Sequence, residues 1–151
     1  MPVLFVYGTL RRPAGGPAAD THYHEQIADT IEVAQMATLF GAALYDFGPY
    51  PGIGPAESSA SVRGEVFEVT DAGLEIADQI ESHPEVYARR QSTIVLDNGA
   101  GGAAWVYWAP DELLADGTLI ASGDWFDRTP ISTGLSIEEQ LAAEQARLEG
   151  S

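Results

Sequence analysis

Tyr87-Ala88-Arg89-Arg90-Gln91-Ser92-Thr93-Ile94-Val95-Leu96-Asp97-Asn98-Gly99-Ala100-Gly101-Gly102-Ala103-Ala104-Trp105-Val106-Tyr107-Trp108-Ala109 is the stretch that decides the fold. Two β-prone runs, 87–96 and 103–109, flank six residues of Asp, Asn, Ala and Gly. So short a connection makes a hairpin and leaves no room for a crossover helix, so the two strands pair antiparallel. Working outward, Ser61 to Val69 alternates, with Val62, Gly64 and Val66 opposite Arg63, Glu65 and Phe67, and predicts another strand. Gln35 to Phe47 is long and apolar around Gly41 and predicts one or two strands with a bulge. Gly48 to Pro55, dense in Pro and Gly, predicts a stiff loop. Val3 to Tyr7 predicts a buried strand that Gly8 stops, and Leu119 to Trp125 a last short strand or extended piece. Arg12 to Ala19 predicts a loop, followed by a helix from Asp20 or Thr21 to about Ala28. A second helix runs from Thr70 or Asp71 to about Ser82, and the capping box Ser136-Ile137-Glu138-Glu139 opens a third over 136–149. Strands outnumber helices. The expected class is α+β: a small, mostly antiparallel β-barrel with two or three flanking helices, in a single domain over 1–151.

The composition narrows the chemistry. Cysteine is absent, which removes thiolate zinc sites, iron–sulfur clusters and cysteine nucleophiles together. Lysine is absent too, since all seven basic residues are arginines, and with it go Schiff-base chemistry and a P-loop lysine. Twenty-three acids against seven arginines give a net charge of −16. Such a chain repels phosphate backbones and anionic lipid, so neither nucleic acid nor membrane is an expected partner. The opening residues have no basic n-region, and no apolar run approaches a membrane span, so the expected setting is cytoplasmic. Self-repulsion of this size should be screened by salt. The melting temperature is expected to rise between about 0.01 and 1 M salt, as the Debye length falls from roughly 30 to 3 Å. A flat or falling series would remove that argument.

Three groups of residues stand out. A strand ending in Gly, as in Tyr7-Gly8-Thr9-Leu10, can turn sharply and converge successive backbone N–H groups on a carboxylate or oxyanion. It can equally be an ordinary strand-to-loop turn. On a helical wheel of residues 71–82, Leu74, Ile76, Ala77 and Ile80 form an apolar arc, and Glu75, Asp78, Gln79 and Ser82 the polar face. Glu81 falls inside the apolar arc, between Leu74 and Ala77. A carboxylate aimed at the core in the last helical turn has its pKa raised toward the range useful for proton transfer. The alternative is a solvated acid at a frayed helix end. Tyr87, two residues before Arg89, opens the next strand and could bind a substrate, hold the acid, or simply be a β-favouring aromatic. His22 and His24 do not share a helix face, and no third ligand is evident, so no metal is expected. Gly99 to Gly102 opens no helix and is no dinucleotide loop. Trp105, Tyr107 and Trp108 are expected as core and cover of the barrel.

These segments resemble a known family. Leu4-Phe5-Val6-Tyr7-Gly8-Thr9-Leu10-Arg11-Arg12 is similar to the opening of the γ-glutamylcyclotransferase-like proteins, in the branch of γ-glutamylamine cyclotransferase and the avirulence-induced proteins. The similarity continues through Leu44 to Ile53, Val62 to Phe67, Ile80-Glu81 with Tyr87-Ala88-Arg89-Arg90, and Ala104 to Tyr107, and covers about residues 2–128. The C-terminal helix lies outside it. Where the family often has Gly after its acid, this chain has Ser82.

The resemblance implies a small barrel with flanking helices. It implies that Tyr7, Gly8, Thr9 and Leu10 hold the substrate, that Glu81 is the acid/base, and that Tyr7 and Tyr87 line the pocket with Tyr50 on a loop near it. The implied reaction releases 5-oxoproline and an amine from a γ-glutamyl amide, without metal or other cofactor, because the substrate's own α-amine is the nucleophile. A non-catalytic sensor of a small carboxylate metabolite is the alternative, and a water-using amidohydrolase a weaker one. Either a monomer or a homodimer fits; Ile137, Leu141 and Leu148 make a stripe that could dock on the barrel or on another subunit.

Overall fold

The computed structural model describes residues 1–12, 23–48 and 50–127. The predicted helix over 136–149, the predicted helix start at Asp20 or Thr21, His22 and most of the predicted loop over 12–19 lie outside them.

The hairpin forms where the sequence predicts it, with a shorter link, because Gly101 and Gly102 join the second strand. Strand β6 (Ala88–Leu96) pairs antiparallel with β7 (Gly101–Trp108) in unbroken register, from Ala88 opposite Trp108 to Val95 opposite Gly101. It is part of a closed five-stranded barrel, completed by β1 (Val3–Val6), β2 (Ile31–Phe40) and β5 (Ser61–Val69) in the order β1-β5-β2-β6-β7. The pairs are antiparallel except at the closure, where β1 meets β7 in parallel at Leu4 and Trp105. Closure leaves no strand of the barrel with an open edge. The fold class is therefore α+β, with a mostly antiparallel barrel.

A second sheet caps the barrel, in the order β4 (Pro51–Pro55), β3 (Ala42–Asp46), β8 (Thr118–Leu119). Here the structure corrects three expectations. The run from Gln35 holds no bulge at Gly41. That residue, at φ +80°, breaks the chain into β2 and β3, which belong to different sheets; the register shift lies instead at Ile31/Val33. Pro51 to Pro55 is a strand and not a loop, because it pairs on one side only and an edge tolerates missing donors. Of the piece from Leu119 to Trp125 only Leu119 is strand, as the second residue of β8, and Trp125 opens a 3₁₀ turn (Trp125–Asp127) that buries its indole completely.

Helices cover the other side. Among the described residues, α1 spans His24–Ile27 and runs into a 3₁₀ turn at Ala28–Thr30. Helix α2 (Asp71–Ile80) is capped by Thr70, whose hydroxyl accepts from the Gly73 N–H at 3.1 Å. A one-turn helix, α3 (Asp111–Leu114), was not evident in the sequence. Strand alternation sorts the core into two clusters. Phe5, Leu39, Val62, Val66, Ile94 and Val106 pack with Leu44, Ile53 and Trp125 from the cap. Leu4, Val6, Phe67, Val69 and Tyr107 pack with Ile27 and Ala77 from the helices. Among the described residues no helix is long and apolar enough to cross a membrane.

Candidate active site

The end of β1, the end of α2 and the start of β6 converge on one cavity of about 250 Å³. A water's share of liquid is roughly 30 Å³, so the space suits a ligand of amino-acid size. Seven expected site residues line it, Tyr7, Gly8, Thr9, Leu10, Tyr50, Glu81 and Tyr87, whereas Arg89, singled out with Tyr87, does not. Tyr107, expected only as core, lines it as well.

The turn after β1 follows from its own hydrogen bonds. The Arg11 N–H donates to the Gly8 carbonyl at 2.9 Å, closing a four-residue turn with Thr9 and Leu10 at its centre. Its carbonyls are occupied: Tyr23 N–H donates to Thr9, and His24 Nδ1 lies 2.9 Å from the Leu10 oxygen. The N–H groups of Gly8, Thr9 and Leu10 have no acceptor among the described residues. Three free donors in succession beside a cavity make a concavity for an anion. Gly8 is required because the turn has no room for a Cβ. Its φ is not positive; instead, a Cβ there would overlap the Pro51 ring, with Cδ at 2.8 Å. Gly8→Val is expected to displace β4 from the turn, abolishing ligand binding and lowering the melting temperature, as titration calorimetry and a thermal melt would read. A variant that binds as tightly as the wild type would show that the turn does not touch the ligand.

Glu81 is the C-cap residue of α2, and its N–H donates to the Ala77 carbonyl at 3.0 Å. It is half-buried, with its carboxyl crowded by the cavity walls, and this burial pushes its pKa up to about 7 from an ordinary 4.5. The chain then leaves the helix through Ser82, at φ +52°. That left-handed conformation costs any residue but Gly about 1–2 kcal/mol, which accounts for a Gly preference after the acid.

Three tyrosines surround the acid. Burial raises the pKa of Tyr7 and Tyr87, and of Tyr107 together with its hydrogen bond to Asp78; the Glu81 charge adds to all three. They are thus neutral phenols at any physiological pH. Each commits its one proton to the protein. Tyr7 donates to the Tyr107 carbonyl, Tyr87 to the Pro51 carbonyl and Tyr107 to Asp78 Oδ1, each at 2.7 Å. Tyr87 therefore ties β4 to the site and does not hold the acid. Every hydroxyl oxygen keeps lone pairs but no free proton, so toward a ligand the tyrosines can only accept.

Sequence reasoning missed the group behind Tyr107. Asp78, placed on the polar face of the wheel, is half-buried and accepts from Arg89 Nε at 2.8 Å and Nη2 at 3.2 Å. Arg89 in turn lies 4.3 Å over the Trp105 ring. The signal was the helical spacing of Asp78 and Glu81, three apart and so neighbours on the surface. It was also missed that Glu65 is fully buried, bound by Arg11 Nε at 3.0 Å and by Arg12 Nε.

Residues 4–127 match the family model described as gamma-glutamyl cyclotransferase, AIG2-like. The Escherichia coli gamma-glutamylcyclotransferase family protein YtfP is 32% identical over 127 residues, covering 83% of this chain and 96% of its own. Its solution structure superposes with a TM-score of 0.56 at 29% identity, covering 83% of this chain and 97% of that one. The crystal structure of YkqA from Bacillus subtilis gives a TM-score of 0.63 at 26% identity and covers 89% of this chain; the match spans only 43% of YkqA. The chain belongs to the gamma-glutamyl cyclotransferase, AIG2-like family.

Proposed function

We propose that the protein cleaves γ-glutamyl amides to 5-oxoproline and a free amine, with Glu81 as the acid and base. The observation that carries this reading is one carboxyl with a pKa near 7 sharing an amino-acid-sized cavity with three backbone donors that have no acceptor among the described residues. The γ-glutamyl unit brings an ammonium, a carboxylate and a carbonyl that becomes an oxyanion. The free N–H groups of Gly8, Thr9 and Leu10 suit an anion, and Glu81 with the tyrosine oxygens suits the ammonium.

The steps balance with no other reagent. Glu81 as carboxylate takes a proton from the α-ammonium. The amine lone pair attacks the γ-carbonyl carbon, closing a five-membered ring and leaving the oxyanion on the turn. Glu81 returns that proton to the leaving nitrogen as the amide C–N bond breaks. The ring nitrogen then sheds its second surplus proton by the same route, so two protons move from the α-nitrogen to the departing amine, which leaves as an ammonium. One group does both jobs because a pKa near pH 7 makes giving and taking equally easy.

The pH profile follows. The competent complex holds one mobile proton, shared between Glu81 and the α-amine. kcat/KM is expected to rise with pH through about 7 as Glu81 ionises, and to fall where the substrate's own ammonium titrates. A profile flat from pH 5 to 8 would contradict a basic role for Glu81. The deciding assay is incubation with γ-glutamyl amines and γ-glutamyl amino acids, followed by detection of 5-oxoproline. Binding without product would mark a sensor, and glutamate as product an amidohydrolase.

A further inference from the structure

We propose that Asp78 and Arg89 are positioning residues for Glu81: together they form a neutral clamp that pins the last turn of α2 to the β6–β7 hairpin and cancels a carboxylate that would otherwise oppose ionisation of Glu81. This rests on the cyclotransferase reading and adds two residues outside the cavity to its acid and base. Neither Asp78 nor Arg89 lines the cavity. Asp78 lies three residues before Glu81, so the two side chains are neighbours on the helix surface. The Asp78 carboxylate reaches both strands of the hairpin. Its Oδ1 accepts from Arg89 Nε of β6 at 2.8 Å and from the Tyr107 hydroxyl of β7 at 2.7 Å, and its Oδ2 accepts from Arg89 Nη2 at 3.2 Å. The guanidinium is itself seated 4.3 Å over the Trp105 ring. A planar fork met by a carboxylate at its edge and an indole on its face has little freedom left. The backbone adds two ties. The Asp78 carbonyl accepts the His83 N–H at 2.9 Å, and His83 Nδ1 accepts the Arg89 N–H at 3.2 Å. Glu81 thus sits on a stretch that is tied to the hairpin both before it, at Asp78, and after it, at His83.

Charge shows why the clamp needs both members. Burial pushes the pKa of Glu81 up to about 7, and an uncancelled carboxylate one turn away would push it higher. After burial, the Tyr107 hydroxyl is raised by its hydrogen bond to Asp78 and by the charges of Asp78 and Glu81, and is lowered by Arg89, which places the three charges around one oxygen. The other titratable groups lining the cavity are phenols: Tyr7, Tyr23, Tyr50, Tyr87 and Tyr107. On α2 and the turn after it, Asp71, Glu75 and Glu85 are exposed, and His83 offers Arg89 a lone pair. Asp78 is therefore the charge best placed to disturb Glu81, and Arg89 is the charge that answers it.

The test reads the titration of Glu81 without substrate. Carbon-13 NMR of protein labelled at its glutamate carboxyls gives the midpoint, the resonance being identified by its loss in Glu81→Gln. At low salt, Arg89→Met leaves Asp78 uncancelled and should raise the midpoint, whereas Asp78→Asn leaves Arg89 uncancelled and should lower it, each by about half a unit or more. The double variant is neutral again, and its midpoint should return close to that of the wild type. Slackening of the fold alone would move both single variants the same way, down toward the solvated value. Midpoints that stay fixed, move together, or fail to return in the double variant would overturn the cancellation. If Arg89→Met does not fold, Arg89→Gln, which keeps an N–H donor toward Asp78, takes its place with the same expected rise. The pinning is read by hydrogen exchange at the Glu81 and Ser82 amides, which should quicken at least about tenfold in the double variant; unchanged exchange would overturn it. If the midpoints and exchange behave as expected while wild-type protein forms no 5-oxoproline from any γ-glutamyl amide, the clamp stands and the cyclotransferase reading falls. Where product forms, the acidic limb of kcat/KM should move with each midpoint, and product without any shift in midpoint leaves that reading intact and removes the clamp.

Discussion

Replacing Glu81 by Gln is expected to lower turnover of a γ-glutamyl amide by about 10²–10⁴. The amide keeps the size of the side chain and its place at the end of α2, but it neither accepts the ammonium proton nor returns one. Affinity should survive, because the turn and the tyrosines remain. Stability gives an independent readout. The Glu81 pKa is raised on folding, from 4.5 to about 7, so its contribution is full below 4.5 and is lost as pH rises through 7. Burying the ionised form then counts against the fold. Above pH 7 the Gln variant should therefore melt higher than the wild type, and the gap should close toward pH 5. Full activity in the Gln variant would remove Glu81 from the chemistry; an unchanged melting temperature at every pH would show that its carboxyl is solvated.

How far the sequence reached depends on which physical signal each element left in it. The hairpin was legible because β-prone runs with a Gly-rich six-residue link admit no other pairing. The barrel order was not, since closure of β1 onto β7 rests on contacts about a hundred residues apart. Pro51 to Pro55 was misjudged because Pro and Gly speak for turns locally, while edge position, a tertiary property, makes them acceptable in a strand. Glu81 stood out as a charge within an apolar arc. Asp78 did not, because a charge on a polar face looks solvated until Arg89 and Tyr107 are seen to reach it from the hairpin. Glu65 left no signal of its own: alternation puts it opposite Val66, on one face with Arg63 and Phe67, and only the fold brings Arg11 and Arg12 of the turn after β1 onto it.

That covered face carries the largest expected effect on stability. Arg11 and Glu65 are each about 2% exposed, and Arg11 also bonds Asp124 Oδ1 at 2.8 Å and lies 3.8 Å over the Phe126 ring. Removing one member of such a buried network leaves the others charged and unanswered, at a cost of about 3–5 kcal/mol. Glu65→Gln keeps the volume, yet its amide can accept from one arginine only, and its NH₂ faces the donors of the other. The melting temperature should fall by about 6–20 °C. The double replacement Arg11→Met with Glu65→Leu should recover much of that loss. It buries no orphan, since the side chains of Arg12, at 46% exposure, and Asp124, at 30%, can still turn to water. Activity should not recover in step. The Arg11 N–H closes the Gly8–Arg11 turn, and its guanidinium is what ties that turn to β5 and to the 3₁₀ turn after β8. A stable double variant should therefore keep its fold and show a raised KM, because the three backbone donors are no longer held in one place. If KM is unchanged while the fold is intact, the ion-pair network serves stability alone, and the turn is positioned by Pro51 and His24 without it.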